Sequence, residues 1–223
     1  MATRALTHTS LVITLLWAGC GSDANTARGS VEVAPTRLLE ADEPPGSLSE
    51  AAIDALVATA GERARSASIA ERVVRNMGAN RDPSFMGVPE DERPRWRGAT
   101  VEEAVARVRE RTTVERRGES LVLEVAVTDA DPERAITLCN EMIQAIVDAS
   151  LERQHAPITR RIEWLDARLR ELRERRREAE GGPEADELDG LLERVTQEST
   201  EASLERGRAR QPLTVLDRCR SRR

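Results

Sequence analysis

The sequence feature that most constrains the fold is a long helical pattern in the second half of the chain. It opens with DPE at residues 131–133, where an aspartate can cap a helix and a proline suits its first position. Apolar residues then recur at helical spacing and predict one buried face: Ile136, Cys139, Ile143, Ile146 and Val147. Pro157 is expected to kink or restart this helix, because proline lacks the backbone N–H of a helix interior.

Beyond Pro157 the pattern becomes that of a coiled coil. Apolar residues follow at steps of four, three, four and three: Ile158, Ile162, Leu165, Leu169 and Leu172. The GGP motif at residues 181–183 ends this helix, and a second apolar series follows: Leu188, Leu191, Leu192 and Val195. We therefore expect residues 151–210 to form a short antiparallel coiled-coil hairpin.

The first half of the chain alternates short strand patterns with capped helices. Strands are predicted at residues 30–34, 112–116 and 119–128. Capping boxes open three helices: SLSE at 47–50, SIAE at 68–71 and TVEE at 100–103. These patterns predict an α+β fold with a small mixed sheet packed with helices, plus a long helix and the hairpin. Residues 30–150 would form the α/β domain, completed by a returning strand at 213–217.

The N-terminus is typical of an exported bacterial lipoprotein. An apolar run at residues 11–18 follows Arg4 and is shorter than the roughly 20 residues that span a bilayer. WAGC at residues 17–20 resembles a lipobox, which predicts a signal peptide at 1–19, lipidation of Cys20 and a tether over 20–29. Cleavage without lipid, or an uncleaved anchor, is the alternative. Gly21 slightly favours the outer membrane over the inner membrane, by resemblance to enterobacterial sorting.

Composition excludes several kinds of chemistry. All 34 basic residues are arginine, so the chain has no lysine for a P-loop or a Schiff base. A net charge of -6 argues against a nucleic-acid binder. His155 has no cysteine or histidine at metal-ligand spacing. We therefore predict a protein that is not an enzyme and has no catalytic residue, metal or cofactor.

Two sets of residues remain as candidate sites. Trp96 lies between Arg95 and Arg97 in a proline-rich loop. A tryptophan in a loop more often covers the protein's own core, but this one could stack on a sugar ring or a partner. Cys139 lies on the buried stripe and is expected to be a core thiol. A disulfide with Cys219 is the alternative in an oxidising compartment.

The order of these motifs resembles the periplasmic domain of the Wzz-type chain-length determinants, which are polysaccharide co-polymerases. The resemblance spans residues 30–217 and rests on four segments: SIAERVVRNMG at 68–78, LVLEVAVTDADPERA at 121–135, RIEWL at 161–165 and LTVLD at 213–217. Asn140 also lies where the family often has asparagine. The family anchors this domain with two transmembrane helices, and Cys20 would take the place of the first.

The resemblance implies a membrane-tethered module on the periplasmic face of the cell envelope. Its expected partners are the membrane, other copies of itself and proteins of surface-polysaccharide synthesis or export. The alternative is a structural coiled-coil lipoprotein of the envelope, a relic with no role in polysaccharide length.

Overall fold

A computed structural model describes residues 25–33, 49–179, 181–208 and 213–222. Within these residues the elements are, in chain order, β1 (Asn25–Val33), α1 (Glu50–Ala64), α2 (Ala67–Met77), α3 (Val101–Arg111), β2 (Thr112–Arg116), β3 (Val122–Asp129), α4 (Pro132–Glu178), α5 (Pro183–Arg208) and β4 (Leu213–Arg222). Short 3₁₀ turns interrupt the loop between α2 and α3. The predicted α+β class is confirmed. No helix in this part of the chain is long and apolar enough to cross a membrane.

Of the predicted caps, those at Thr100 and Asp131 are confirmed, whereas the boxes predicted from Ser47 and Ser68 are wrong: Ser49 caps α1, and α2 follows Ser66 without a side-chain cap. The Thr100 hydroxyl accepts a hydrogen bond from the Glu103 N–H, and the Glu103 carboxylate accepts one from the Thr100 N–H, which starts α3. Asp131 accepts hydrogen bonds from the backbone N–H groups of Glu133 and Arg134 at the start of α4. At the end of α2, Gly78 adopts the left-handed conformation with φ 64°.

The four strands form one sheet in the order β2-β3-β1-β4, and every pairing is antiparallel. The sequence predicted a mixed sheet, and this part of the prediction is wrong because the described strands are all antiparallel. Strands β2 and β3 are joined by a tight turn. Strands β1 and β4 are distant in sequence but pair with each other, and β1 also pairs with β3. In the β1–β4 pair Thr26 lies opposite Arg222 and Val33 lies opposite Leu213.

One face of the sheet carries the core. Residues at alternate positions of the two central strands are buried against the helices: Ala27, Val31 and Val33 in β1, and Leu123, Val125 and Val127 in β3. The other face is polar, and Arg28 pairs with Glu124 across it at 2.6 Å. Alternation of this kind is typical of an antiparallel sheet that has helices on one side and solvent on the other.

Strand β1 begins at Asn25, so residues 25–29 do not belong to the tether predicted over 20–29. Their sequence, NTARG, is small and polar and carries little strand preference of its own. They are extended because β3 and β4 form hydrogen-bonded ladders on their two sides. The strand pairing of this segment is therefore decided by its neighbours.

Helix α4 is 47 residues long, which corresponds to about 70 Å. Its first part packs on the sheet through buried residues as far as Val147. Its last part leaves the sheet and packs against α5 through Leu165, Leu169 and Leu172, opposite Ala185, Leu188 and Ala202. We call this projecting part of α4, together with α5, the spur.

The helix continues through Pro157, so of the two predicted outcomes, a kink or a restart, the restart is wrong. Proline removes one intrahelical hydrogen bond, to the carbonyl of Arg153. Both flanking stretches of α4 are held by packing, on the sheet before Pro157 and on α5 after it. This packing outweighs the lost bond and keeps the domain and the spur on a single helix.

At Gly29, β1, β4 and α4 lie close together. A Cβ atom at this position would lie 2.6 Å from Cδ1 of Ile143, 2.7 Å from Sγ of Cys219 and 2.9 Å from the carbonyl oxygen of Asp217. One of these neighbours is backbone, and the others belong to buried residues. Any side chain here would therefore push the long helix and the last strand apart.

The variant Gly29→Ala should lose about 1–3 kcal/mol of unfolding free energy, the usual cost of overpacking a core. Gly190→Ala is the matched control, because a Cβ there meets nothing within 4 Å and the residue lies inside α5. The control should gain about 0.5–1 kcal/mol from helix propensity. Both values follow from urea denaturation monitored by circular dichroism. An equal effect of the two changes would contradict the close approach at Gly29.

Candidate interaction surfaces

The end of the sheet where β1 begins is held by a buried carboxylate. The side chain of Asp129 is fully buried and lies between the guanidinium groups of Arg111 and Arg134. Arg134 donates to its Oδ1 from Nη2 at 2.5 Å and from Nε at 3.0 Å, and Arg111 donates to Oδ2. The backbone N–H of Asp131 also donates to Oδ1, at 2.9 Å.

The two arginines extend this network into the loop between α2 and α3. Arg134 donates to the hydroxyl of Ser84 at 2.8 Å, and Arg111 donates to the carbonyl of Phe85 at 3.1 Å. The Arg111 guanidinium also lies 4.7 Å from the centre of the Phe85 ring. One carboxylate thus joins β3, α3, α4 and this loop.

The network keeps Asp129 ionised. Burial alone would raise the pKa of Asp129, but hydrogen bonds from Arg134 and from the Asp131 N–H, with the charges of both arginines, lower the pKa below its ordinary value. Burial lowers the pKa of Arg111, and the hydrogen bond to Asp129 raises the pKa of Arg134. Every polar atom of the carboxylate is engaged, so the arrangement stabilises the fold and offers no general acid or base.

Asp129→Asn should cost about 3–5 kcal/mol of unfolding free energy, because it leaves two partly buried guanidinium groups without their counter-charge. Since the folded-state pKa of Asp129 lies below the ordinary value of 3.8, its contribution is present above about pH 4 and is lost as the pH falls further. The variant should therefore show a weaker acid destabilisation than the natural chain in urea titrations across this range.

Asp54→Asn is the control for this prediction. Asp54 pairs with Arg116 at 2.7 Å, but more than half of its side chain is exposed, and such surface pairs contribute about 0–1 kcal/mol. If both variants lost the same free energy, the Asp129 network would not have the structural role assigned to it.

Cys139 and Cys219 form a disulfide with a Cα–Cα distance of 5.9 Å and a sequence separation of 80 residues. The bond joins α4 to β4, and the backbone N–H of Cys219 donates to Oδ1 of the adjacent Asn140 at 3.0 Å. Cys139 is thus not the free core thiol expected from its place on the buried stripe. The sequence could not decide this, because only the fold brings Cys219 to the same place.

Removal of this bond in the variant Cys139→Ala/Cys219→Ala should cost about 2–5 kcal/mol, since it closes a long loop in the unfolded chain. A reductant should destabilise the natural chain by a similar amount and leave the variant unchanged. Thiol titration of the unreduced, denatured chain from residue 21 onward should find no reactive thiol. Two thiols per chain would show that the bond is absent.

The loop with Trp96 lies at the surface. Trp96 follows a 3₁₀ turn at Arg93–Arg95, is half-buried and does not pack against the main core, whereas Arg95 and Arg97 are exposed. Within the described residues, neither guanidinium makes an ion pair or a hydrogen bond. The three side chains thus form an open surface of one aromatic ring and two cations. Their contact with a sugar or a partner stays a prediction.

Cys20 lies outside the described residues, so its predicted lipidation also stays a prediction.

A groove of about 420 Å³ lies between the α1–α2 corner and the junction of α3 with β2. Its polar lining comes from Arg65, Ser66, Arg109, Glu110 and Thr112. The Thr112 hydroxyl oxygen is buried without a hydrogen bond, and Ser66 is within hydrogen-bonding distance of Ser68. Neither hydroxyl is paired with a carboxylate or a histidine, so the groove lacks a nucleophile with its base.

His155 lies on α4 beside a second groove, of about 440 Å³, which Arg206 of α5 also lines. Its Nε2 is buried and has no hydrogen-bond partner. Among the residues in the four described ranges, no group of three or more histidine, cysteine, aspartate or glutamate side chains is arranged to hold a metal ion.

The spur carries exposed apolar side chains near its base. Trp164 on α4 is 62% exposed and Leu204 on α5 is 53% exposed. Arg161 of α4 lies 3.9 Å from Glu205 of α5, so the two helices are side by side where they carry Trp164 and Leu204. Further out, Arg176 pairs with Asp189 at 2.8 Å.

No protein-family model matches the chain, and a comparison with curated proteins finds no significant match. The resemblance to chain-length determinants therefore rests on the motifs and stays a prediction.

Proposed function

We propose that the chain is a non-catalytic, lipid-anchored module on the periplasmic face of the cell envelope, where it acts beside surface-polysaccharide synthesis or export. The observation that carries this proposal is the pairing of β1 with β4. It brings the start of β1 and the end of β4 together at one end of the sheet, and α4 extends about 70 Å from that end. Such a shape suits a protein that is held at a membrane by one end and contacts partners along its length.

Two further observations support this setting. The disulfide between Cys139 and Cys219 fits an oxidising compartment outside the cytoplasm. Asn25 follows Cys20 by five residues, so a lipid on Cys20 would hold this end of the sheet within about 18 Å of the membrane. The outer membrane is favoured by Gly21. The partners would be further copies of the chain and proteins of polysaccharide synthesis or export, without nucleic acid.

The second candidate is a structural spacer of the envelope. The spur favours it, because its helices are held together by a leucine seam and by ion pairs on a surface of mixed charge. A spacer needs only length and rigidity, whereas a polysaccharide regulator needs a surface for a partner or a sugar. The half-buried ring of Trp96 lies between two exposed arginines that make no ion pair within the described residues, and this is the feature that the spacer would not require.

Deletion of the gene in the source organism should change the length distribution or the amount of its surface polysaccharide, resolved by gel electrophoresis. The natural gene should restore the pattern, and the variant Arg95→Ala/Trp96→Ala/Arg97→Ala should not. The matched control is Trp164→Ala/Arg173→Ala/Arg177→Ala, which removes the same residue types from the exposed spur. An unchanged polymer in the deletion strain would contradict the proposal and favour the spacer.

A further inference from the structure

We infer that the chain binds a neutral glycan chain in a continuous groove that runs around the first turns of α2. The inference rests on the proposed function, whose partner it narrows to an uncharged polysaccharide, and it adds a site whose lining residues do not include the loop of Trp96. The site consists of three adjoining depressions in the surface, which we together call the α2 groove.

The three depressions adjoin because they share lining residues. The first is the groove of about 420 Å³ between the α1–α2 corner and the junction of α3 with β2. It meets a depression of about 350 Å³ between α2 and α4 at Ser66, which lines both. It also meets a depression of about 260 Å³ between α2 and α3, where Ala106 and Arg109 line both. A small ligand is usually enclosed in one cavity, whereas three joined depressions that are open to solvent suit a linear polymer.

The middle part of the α2 groove has an aliphatic floor. Five of the residues that line it are buried in the core: Ala64, Ala70, Val108, Val114 and Met142. A pyranose ring has an apolar face of C–H groups, and burial of this face against aliphatic side chains is favourable. The floor thus provides a surface on which a sugar ring can lie flat.

Hydroxyl groups lie beside this floor. Thr112 lines the groove, and its hydroxyl oxygen is buried with no hydrogen-bond partner in the described part of the chain. A buried hydroxyl without a partner is unfavourable, and a rotation about χ1 of Thr112 would turn it toward a ligand that offers one. Ser66 makes no capping bond to α2, and its hydroxyl lies 3.0 Å from that of Ser68. Both serine hydroxyls can therefore still donate or accept a further hydrogen bond.

The charges along the α2 groove balance. Four arginines and four glutamates line it: Arg65, Arg72, Arg109, Arg153, Glu71, Glu102, Glu110 and Glu152. Guanidinium groups only donate hydrogen bonds, carboxylates only accept them, and sugar hydroxyls do both. The set therefore complements a neutral sugar, and it offers no net electrostatic attraction to an acidic or a basic polymer.

An extended peptide is a second kind of linear polymer that fits an open groove. It would gain much of its affinity by pairing its backbone with β2, which is an edge strand of the sheet. The carbonyl of Val114 in β2 already accepts a hydrogen bond from Nη1 of Arg65 at 2.9 Å. A peptide would have to displace Arg65 from this carbonyl, whereas a sugar ring on the aliphatic floor leaves the contact in place. The glycan is therefore the favoured ligand.

The test is isothermal titration calorimetry on the chain from residue 21 onward, which contains every described element. The neutral probes are maltohexaose, mannohexaose and chitohexaose, each compared with its monosaccharide. At least one hexasaccharide should bind, and it should bind more tightly than its monosaccharide because it occupies more than one of the three depressions. Acidic hexagalacturonate and a neutral glycine–serine peptide should not bind.

Two variants locate the binding in the α2 groove. Thr112→Val removes only the unpaired hydroxyl and should weaken binding by about three- to tenfold, which corresponds to one hydrogen bond. It should not lower the urea midpoint of unfolding, because this hydroxyl has no partner within the described residues. Ala106→Leu enlarges an exposed side chain where two depressions meet and should abolish the advantage of the hexasaccharide over its monosaccharide.

The matched controls are Thr113→Val, at the next residue of β2, and Ala167→Leu on the spur. Both residues are exposed and outside the α2 groove, so these variants should bind as the natural chain does. The inference is overturned if no neutral hexasaccharide binds, if hexagalacturonate or the peptide binds in their place, or if a control weakens binding as much as its partner variant. The proposed function fails separately, since an unchanged polymer in the deletion strain contradicts it whether or not the purified chain binds a hexasaccharide.

Discussion

The structure depends above all on the pairing of β1 with β4. Strand β1 is the first described element and β4 the last, yet β1 lies inside the sheet with a ladder on each side. The core face of β1 is formed by Ala27, Val31 and Val33, which no local pattern would bury without both neighbours. Closing so long a loop has an entropic cost, which grows only slowly with its length. The disulfide and the close packing at Gly29 secure this closure from the side of α4.

A second constraint acts at the end of the sheet where β1 starts. The buried carboxylate of Asp129 needs its two arginines, and these in turn fix the end of α3, the start of α4 and the backbone of Phe85. A charged group that is buried away from water needs an opposite charge and hydrogen bonds within the fold. The network therefore sets the geometry from which α4 departs, and with it the direction of the spur.

The candidate surfaces lie on elements that this framework holds in place. Trp96 with its flanking arginines is presented on a loop whose earlier part is bound to Arg111 and Arg134. Arg95 and Arg97 are exposed and contribute little to packing, which is typical of residues that serve contact with another molecule.

The sequence by itself determined the local elements: the caps at Thr100 and Asp131, the turn at residues 181–183, the heptad leucines and the α+β class all follow from periodicity and capping chemistry. It also presented Cys139 and Cys219 as one of two alternatives. Only the tertiary structure decided the antiparallel sense of every strand pair, the extension of residues 25–29, the passage of α4 through Pro157 and the Asp129 network. Each of these depends on contacts between residues far apart in sequence, whose energies no local pattern records.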